Sequence, residues 1–73
     1  MKIIENLGVI GEGTKGWKKE VNLISWNYRK AKVDICDWDE EHEKMGKGIT
    51  LSKDELIALK KILNLINIDD LDM

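Results

Sequence analysis

Tryptophans and lysines carry most of the chemistry this sequence offers. Trp26 and Trp38 fall in segments of alternating polarity, and Lys18 and Lys32 share their parity. An indole presents a flat apolar face, and a lysine presents a compact positive charge. Together they fit a ligand that alternates flat aromatic groups with anions, which is the make-up of an unpaired nucleic-acid strand. Stacking one base on an aromatic side chain contributes roughly 1–3 kcal/mol, while Lys and Arg track the phosphates. A duplex hides its base faces, so the pattern favours single strands. Tyr28, Arg29 and Lys30 add an aromatic and two cations in a polar turn. Lys47 stands between Gly46 and Gly48, where the glycines permit close backbone approach and the lysine suits a phosphate.

Other candidate chemistries fail on spacing or context. Gly11-x-Gly13-x-x-Gly16 matches a dinucleotide-binding pattern, but no helix pattern follows it and the chain is too short for a βαβ unit. It reads as a hairpin loop. Cys36 and His42, with Asp39, Glu41 and Glu43, supply one cysteine and one histidine, short of what zinc asks for. Neither a metal nor a cofactor is implied. A Cys36–His42 nucleophile pair lacks an orienting group. Cys36 is therefore expected to be a half-buried strand residue and His42 a surface residue. No constellation supports an enzyme.

Four strands and one helix are expected to position these residues. Residues 3–10, 17–26, 31–38 and 47–51 read as strands, the third being clearest: Ala31, Val33 and Ile35 alternate with Lys32, Asp34, Cys36 and Trp38. Residues 39–46 form an acidic loop. Ser52-Lys-Asp-Glu55 is a capping-box pattern opening a helix over about 53–66, and 67–73 form an acidic tail. The fold class is α+β: a four-stranded antiparallel sheet followed by a C-terminal helix, β-β-β-β-α. The Val33 side is expected to face the helix. The opposite side, with Lys18, Asn22, Ile24, Trp26, Lys32, Asp34, Cys36 and Trp38, is expected to be free. On that parity Trp26 and Trp38 are exposed, and Trp17 packs. The helix carries apolar residues well beyond the stripe one sheet needs. Ile57, Ile62, Leu65 and Ile66 are therefore assigned to contact with a second copy.

Composition sets the outer bounds. With 73 residues, 1–73 is a single domain whose small core is marginal without a disulfide, metal or partner. One cysteine rules out an internal disulfide and fits a reducing compartment. There is no apolar run of membrane-spanning length and no signal-like apolar segment after Met1, so a cytoplasmic protein is expected. The net charge is −2, but the charges are segregated. Residues 15–32 hold six basic residues against Glu20, and residues 33–43 hold six acids without a Lys or Arg. A binding face is set by local potential rather than by the total.

The segment Val21–Trp38, followed by Lys44-Met-Gly-Lys-Gly-Ile-Thr-Leu-Ser-Lys-Asp-Glu55, resembles the transcriptional coactivator positive cofactor 4 family of single-stranded-DNA-binding domains. The likeness is greatest to its compact bacterial branch, typified by YdbC. Lys47-Gly-Ile-Thr-Leu-Ser52 is the most specific piece, and Asp34-Ile35, with the aromatic and acidic loop after it, is the second. The resemblance implies a curved sheet and a homodimer paired through its helices, with grooves that hold single-stranded DNA. It also implies non-catalytic binding of little sequence preference, linked to transcription regulation or the handling of exposed single strands. It carries the family's basic contacts onto Lys47 and Lys18 and the aromatic ending the third strand onto Trp38. Its turn cluster falls on Trp26, Tyr28, Arg29 and Lys30, in register to within a residue or two. The sequence departs from the pattern at Cys36, where the family can carry an arginine, and in its acidic total.

Two other readings stay open at this level. Single-stranded RNA offers the same bases and phosphates and differs by its 2′-hydroxyls. A dimeric protein-interaction module would use the acidic loop and tail. A membrane partner or small-molecule substrate is not expected.

Overall fold

The computed structural model describes residues 1–27 and 29–73. Tyr28 lies outside the described residues. The strands are β1 (Lys2–Glu12), β2 (Lys18–Ser25), β3 (Lys32–Trp38) and β4 (Met45–Leu51), and the helix is α1 (Lys53–Leu65). They form one antiparallel sheet in the order β1-β2-β3-β4, followed by the helix. β1 and β4 are longer than the sequence pattern indicates, and β2, β3 and α1 match it to within a residue or so. Short 3-10 turns sit at Thr14–Gly16 and Ile68–Asp70.

β1 reaches its length through repeated bulges. Its register with β2 steps between Ile3 and Glu5, between Asn6 and Gly8, and between Val9 and Gly11. Ile4, Leu7 and Ile10 are the residues skipped, so β1 has 11 residues against the 8 of β2. A bulge bends its strand and raises the local twist. Three in succession wind the edge strand around its neighbour, which is why Gly8 does not end the strand.

The α1 start is capped as the sequence indicates. Glu55 N donates to Ser52 Oγ at 3.2 Å, and Ser52 N donates to Glu55 Oε1 at 2.9 Å. Beyond that cap the helix buries little. Among the described residues none of α1 is buried, and Ile57, Ile62, Leu63 and Leu65 are exposed by 44%, 56%, 50% and 86%. Near its first turn, Leu56 overlooks Leu23, Val33 and Leu51 across an open apolar cavity of about 290 Å³.

The alternation of β2 and β3 is as expected, but the burial of the two sides is reversed. Glu20, Asn22 and Ile24 on β2 and Asp34, Cys36 and Trp38 on β3 are buried. They share one side through the pairs Glu20↔Cys36 and Asn22↔Asp34. The helix-facing side holds Val33 and Leu51 as buried residues, but Val21, Leu23 and Ile35 are only half-buried. Two physical causes account for the reversal: polar side chains on the first side satisfy one another, and the 39–44 loop folds over them. The expectation that this side is free is corrected here for Asn22, Ile24, Asp34, Cys36 and Trp38.

Candidate nucleic-acid interface

At the centre of the enclosed side is a polar cluster built around one carboxylate oxygen. Glu20 Oε1 accepts from Asn6 Nδ2 at 3.2 Å, from Asn22 Nδ2 at 3.1 Å and from His42 Nε2 at 2.9 Å. Asn6 Nδ2 also donates to Asn22 Oδ1 at 2.8 Å. Burial pushes the Glu20 carboxyl up, but the His42 and Asn22 hydrogen bonds and the charges of His42 and Lys18 outweigh it. The group is held below its ordinary value. Buried polar groups persist when they are paired in this way.

His42 does more than the sequence reading assigned to it. Its imidazole lies on the Trp38 indole with ring centroids 4.0 Å apart and planes 5° from parallel. The loop beneath it is fixed by Asp39, whose Oδ1 accepts from Glu43 N at 2.7 Å and Lys44 N at 3.1 Å. His42 itself sits at φ 60°, a left-handed conformation uncommon for residues other than glycine, though histidine is among those that adopt it most readily. A histidine four residues after a strand-ending Trp, within an acidic loop, was the available signal, but sequence does not fix the turn that folds it back.

The expected exposure of Trp38 is therefore corrected. Trp38 is 5% exposed, with the imidazole covering one face of the indole. Among the described residues neither its buried Nε1–H nor the buried Asp34 Oδ2 on the same side has a hydrogen-bond partner. The other Asp34 oxygen, Oδ1, accepts from Thr50 Oγ1 at 3.1 Å. Trp26, by contrast, is 43% exposed at the end of β2. Trp17 is half-buried beside Gly46, where a Cβ added to the glycine would meet its Cζ3 at 3.5 Å, in keeping with its expected packing.

The basic residues are all exposed. Lys18 opposes Trp38 across β2 and β3, and Lys32 opposes Ile24, so both belong to the strand positions of the enclosed side. Arg29 and Lys30 follow the turn closed by Arg29 N donating to Trp26 O at 2.8 Å. Lys47 lies where β4 runs irregularly between the pairs Trp38↔Met45 and Cys36↔Gly48, with Gly46 and Lys47 spanning the single residue Asp37. Gly48 has a firm reason to be glycine: a Cβ there would collide with Cys36 Cβ and with Ile35 O. That contact holds β4 tight against β3 one residue from Lys47.

Cys36 is a free, buried thiol. Burial pushes its thiol up to about 12, helped by the carboxylates of Asp34, Asp37 and Glu20. The buried strand role stands, with fuller burial than expected. Among the described residues no group of three or more His, Cys, Asp or Glu side chains is arranged to hold a metal ion, and no helix is long and apolar enough to cross a membrane.

The family model described as Transcriptional Coactivator p15 (PC4) matches residues 14–62, from the loop before β2 to within α1. An uncharacterized protein of Treponema pallidum (strain Nichols) is 40% identical over 68 residues, covering 93% of this chain and 80% of the relative.

Proposed function

The chain belongs to the PC4 family, a family of nucleic-acid-binding, coactivator-like domains, and on that premise we propose that it binds single-stranded DNA without catalysis and with little sequence preference. The observation that carries this reading is the concentration of exposed cations, Lys18, Lys32, Arg29, Lys30 and Lys47, on and around the strands that carry Trp38 and lead into Trp26. The lysines and arginine neutralise phosphates. Trp26 stacks on a base as it stands, with Tyr28 beside it in sequence. Trp38 stacks once its cover is moved. The acidic residues 39–43 border this track and repel a strand that strays from it.

The functional unit in this reading is a homodimer, acting in the cytoplasm in transcription regulation or the handling of exposed single strands. Support comes from α1, where Ile57, Ile62, Leu63 and Leu65 are exposed in one chain. Ile57, Ile62, Leu65 and Ile66 meet the same residues of a second copy. Such an isologous contact removes a patch that a small soluble domain does not leave open.

The test is a salt series with single-lysine variants. Lys47→Ala and Lys32→Ala each weaken binding to every oligonucleotide sequence tried, and each lowers the slope of log K against log salt by about one. Wild-type slopes in both variants would remove those residues from the interface.

A further inference from the structure

We propose that the His42 imidazole is a built-in stand-in for a nucleobase: it occupies the stacking face of Trp38 in the free protein and is displaced by a base when a strand binds. This rests on the single-strand reading above and names how that site is opened.

Four observations carry it. The two rings are stacked at 4.0 Å and 5°, the geometry a base would adopt on the same indole. The imidazole is the accessible member of the pair, its side chain 41% exposed over a tryptophan that is 5% exposed. Displacement leaves no broken core behind. Glu20 Oε1 keeps Asn6 and Asn22 as donors, and the turn keeps its Asp39 bonds to Glu43 N and Lys44 N. The closed form also holds one unfavourable feature, the buried Trp38 Nε1–H, which has no hydrogen-bond partner among the described residues. A strand entering beside Lys18, which stands opposite Trp38, brings sugar and phosphate oxygens as acceptors for that N–H. Opening thus exchanges one flat ring for another and satisfies an orphan donor. Where the competent state is a minor population, apparent affinity falls by that fraction.

The test compares wild type, His42→Gly and His42→Asn with fluorescein-labelled oligo-dT by anisotropy at one salt concentration. Both replacements suit a left-handed backbone, neither carries an aromatic ring to lie on the indole, and the Asp39 bonds to Glu43 N and Lys44 N hold the turn. The expected result is binding about tenfold tighter in both variants. Neither replacement adds positive charge, so simple electrostatics does not account for tighter binding. The Trp38 indole N–H signal, followed by NMR in wild type, shifts on saturation with oligo-dT and exchanges more slowly with water. Equal or weaker binding by the variants, or a Trp38 signal that stays put while others move, overturns the proposal and leaves single-strand binding standing. No binding by any of the three at low salt overturns the single-strand reading, and this proposal with it.

Discussion

His42 and Trp38 lie ring on ring, and the same imidazole donates to Glu20 Oε1, so one side chain ties the acidic loop to both β2 and β3. The cluster beneath it is a structural unit with its own energetics. Replacing Glu20 by Ala leaves the donors of Asn6, Asn22 and His42 without their shared acceptor. Asn22 is the buried donor among them, and leaving a buried donor unpaired costs about 1–3 kcal/mol. Urea unfolding followed by circular dichroism should report a loss of that order; an unchanged midpoint would mean the cluster adds nothing net.

The same carboxylate gives a pH dependence with a definite sign. The folded protein holds Glu20 below its ordinary value, so its contribution is complete above the unfolded carboxylate range, near pH 4.3, and is lost as pH falls through the lower folded value. Asp39, held low by the Lys44 backbone N–H, and Glu55, held low by that of Ser52, act in the same direction from the surface. The contrast between proteins isolates Glu20. Between pH 6 and pH 3 the wild-type urea midpoint should fall further than that of Glu20→Gln. Parallel decline would assign the acid sensitivity elsewhere.

Gly48 and Gly46 should differ sharply on substitution. A Cβ at Gly48 meets Cys36 and the Ile35 carbonyl, backbone that cannot move aside within a paired strand. At Gly46 the nearest neighbour is Asp37 Cβ at 3.2 Å, which can give a little. Gly48→Ala should cost about 1–3 kcal/mol, the usual range for overpacking, and Gly46→Ala distinctly less. Thermal unfolding of the two variants side by side checks the order. Equal losses would contradict the close approach of β4 to β3.

The uncovered helix predicts an association equilibrium. Ile62 is 56% exposed on α1, so Ile62→Glu removes nothing from the core of one chain. Sedimentation equilibrium should find a dimer for the wild type and a monomer for Ile62→Glu. A wild-type monomer at high concentration would remove the dimer from the account.

Much of this was legible in the residues, for physical reasons. Strict alternation in β3 and the Ser52–Glu55 capping box specify their elements locally, and both are present in the structure. The length of β1 was hidden because its bulges fall every third residue, at Ile4, Leu7 and Ile10, which breaks the two-residue period used to find strands. Parity correctly grouped Asp34, Cys36 and Trp38, but parity cannot say which side is enclosed. That depended on long-range pairing of Asn6 with Asn22 and of His42 with Glu20, 16 and 22 residues apart in sequence. The exposed cations were legible because a lysine on a strand without an acidic partner is held in water.

Trp26 and Lys47 separate the two kinds of contact the interface uses. Trp26→Ala should lose about 1–3 kcal/mol of binding with the salt slope unchanged, whereas Lys47→Ala should lose affinity through the slope. Fluorescence titrations at three or more salt concentrations read both quantities. Identical behaviour of the two variants would mean that stacking and phosphate contacts are not divided as described.

Whether the chain binds single strands is decided by titrating labelled oligo-dT with the full chain, using an unlabelled duplex of equal length as competitor and reading anisotropy and tryptophan emission together. Binding should be saturable, weaken with salt, quench tryptophan emission and resist displacement by the duplex. Absence of binding at low salt, or displacement by duplex as effective as by single strand, would contradict single-strand binding.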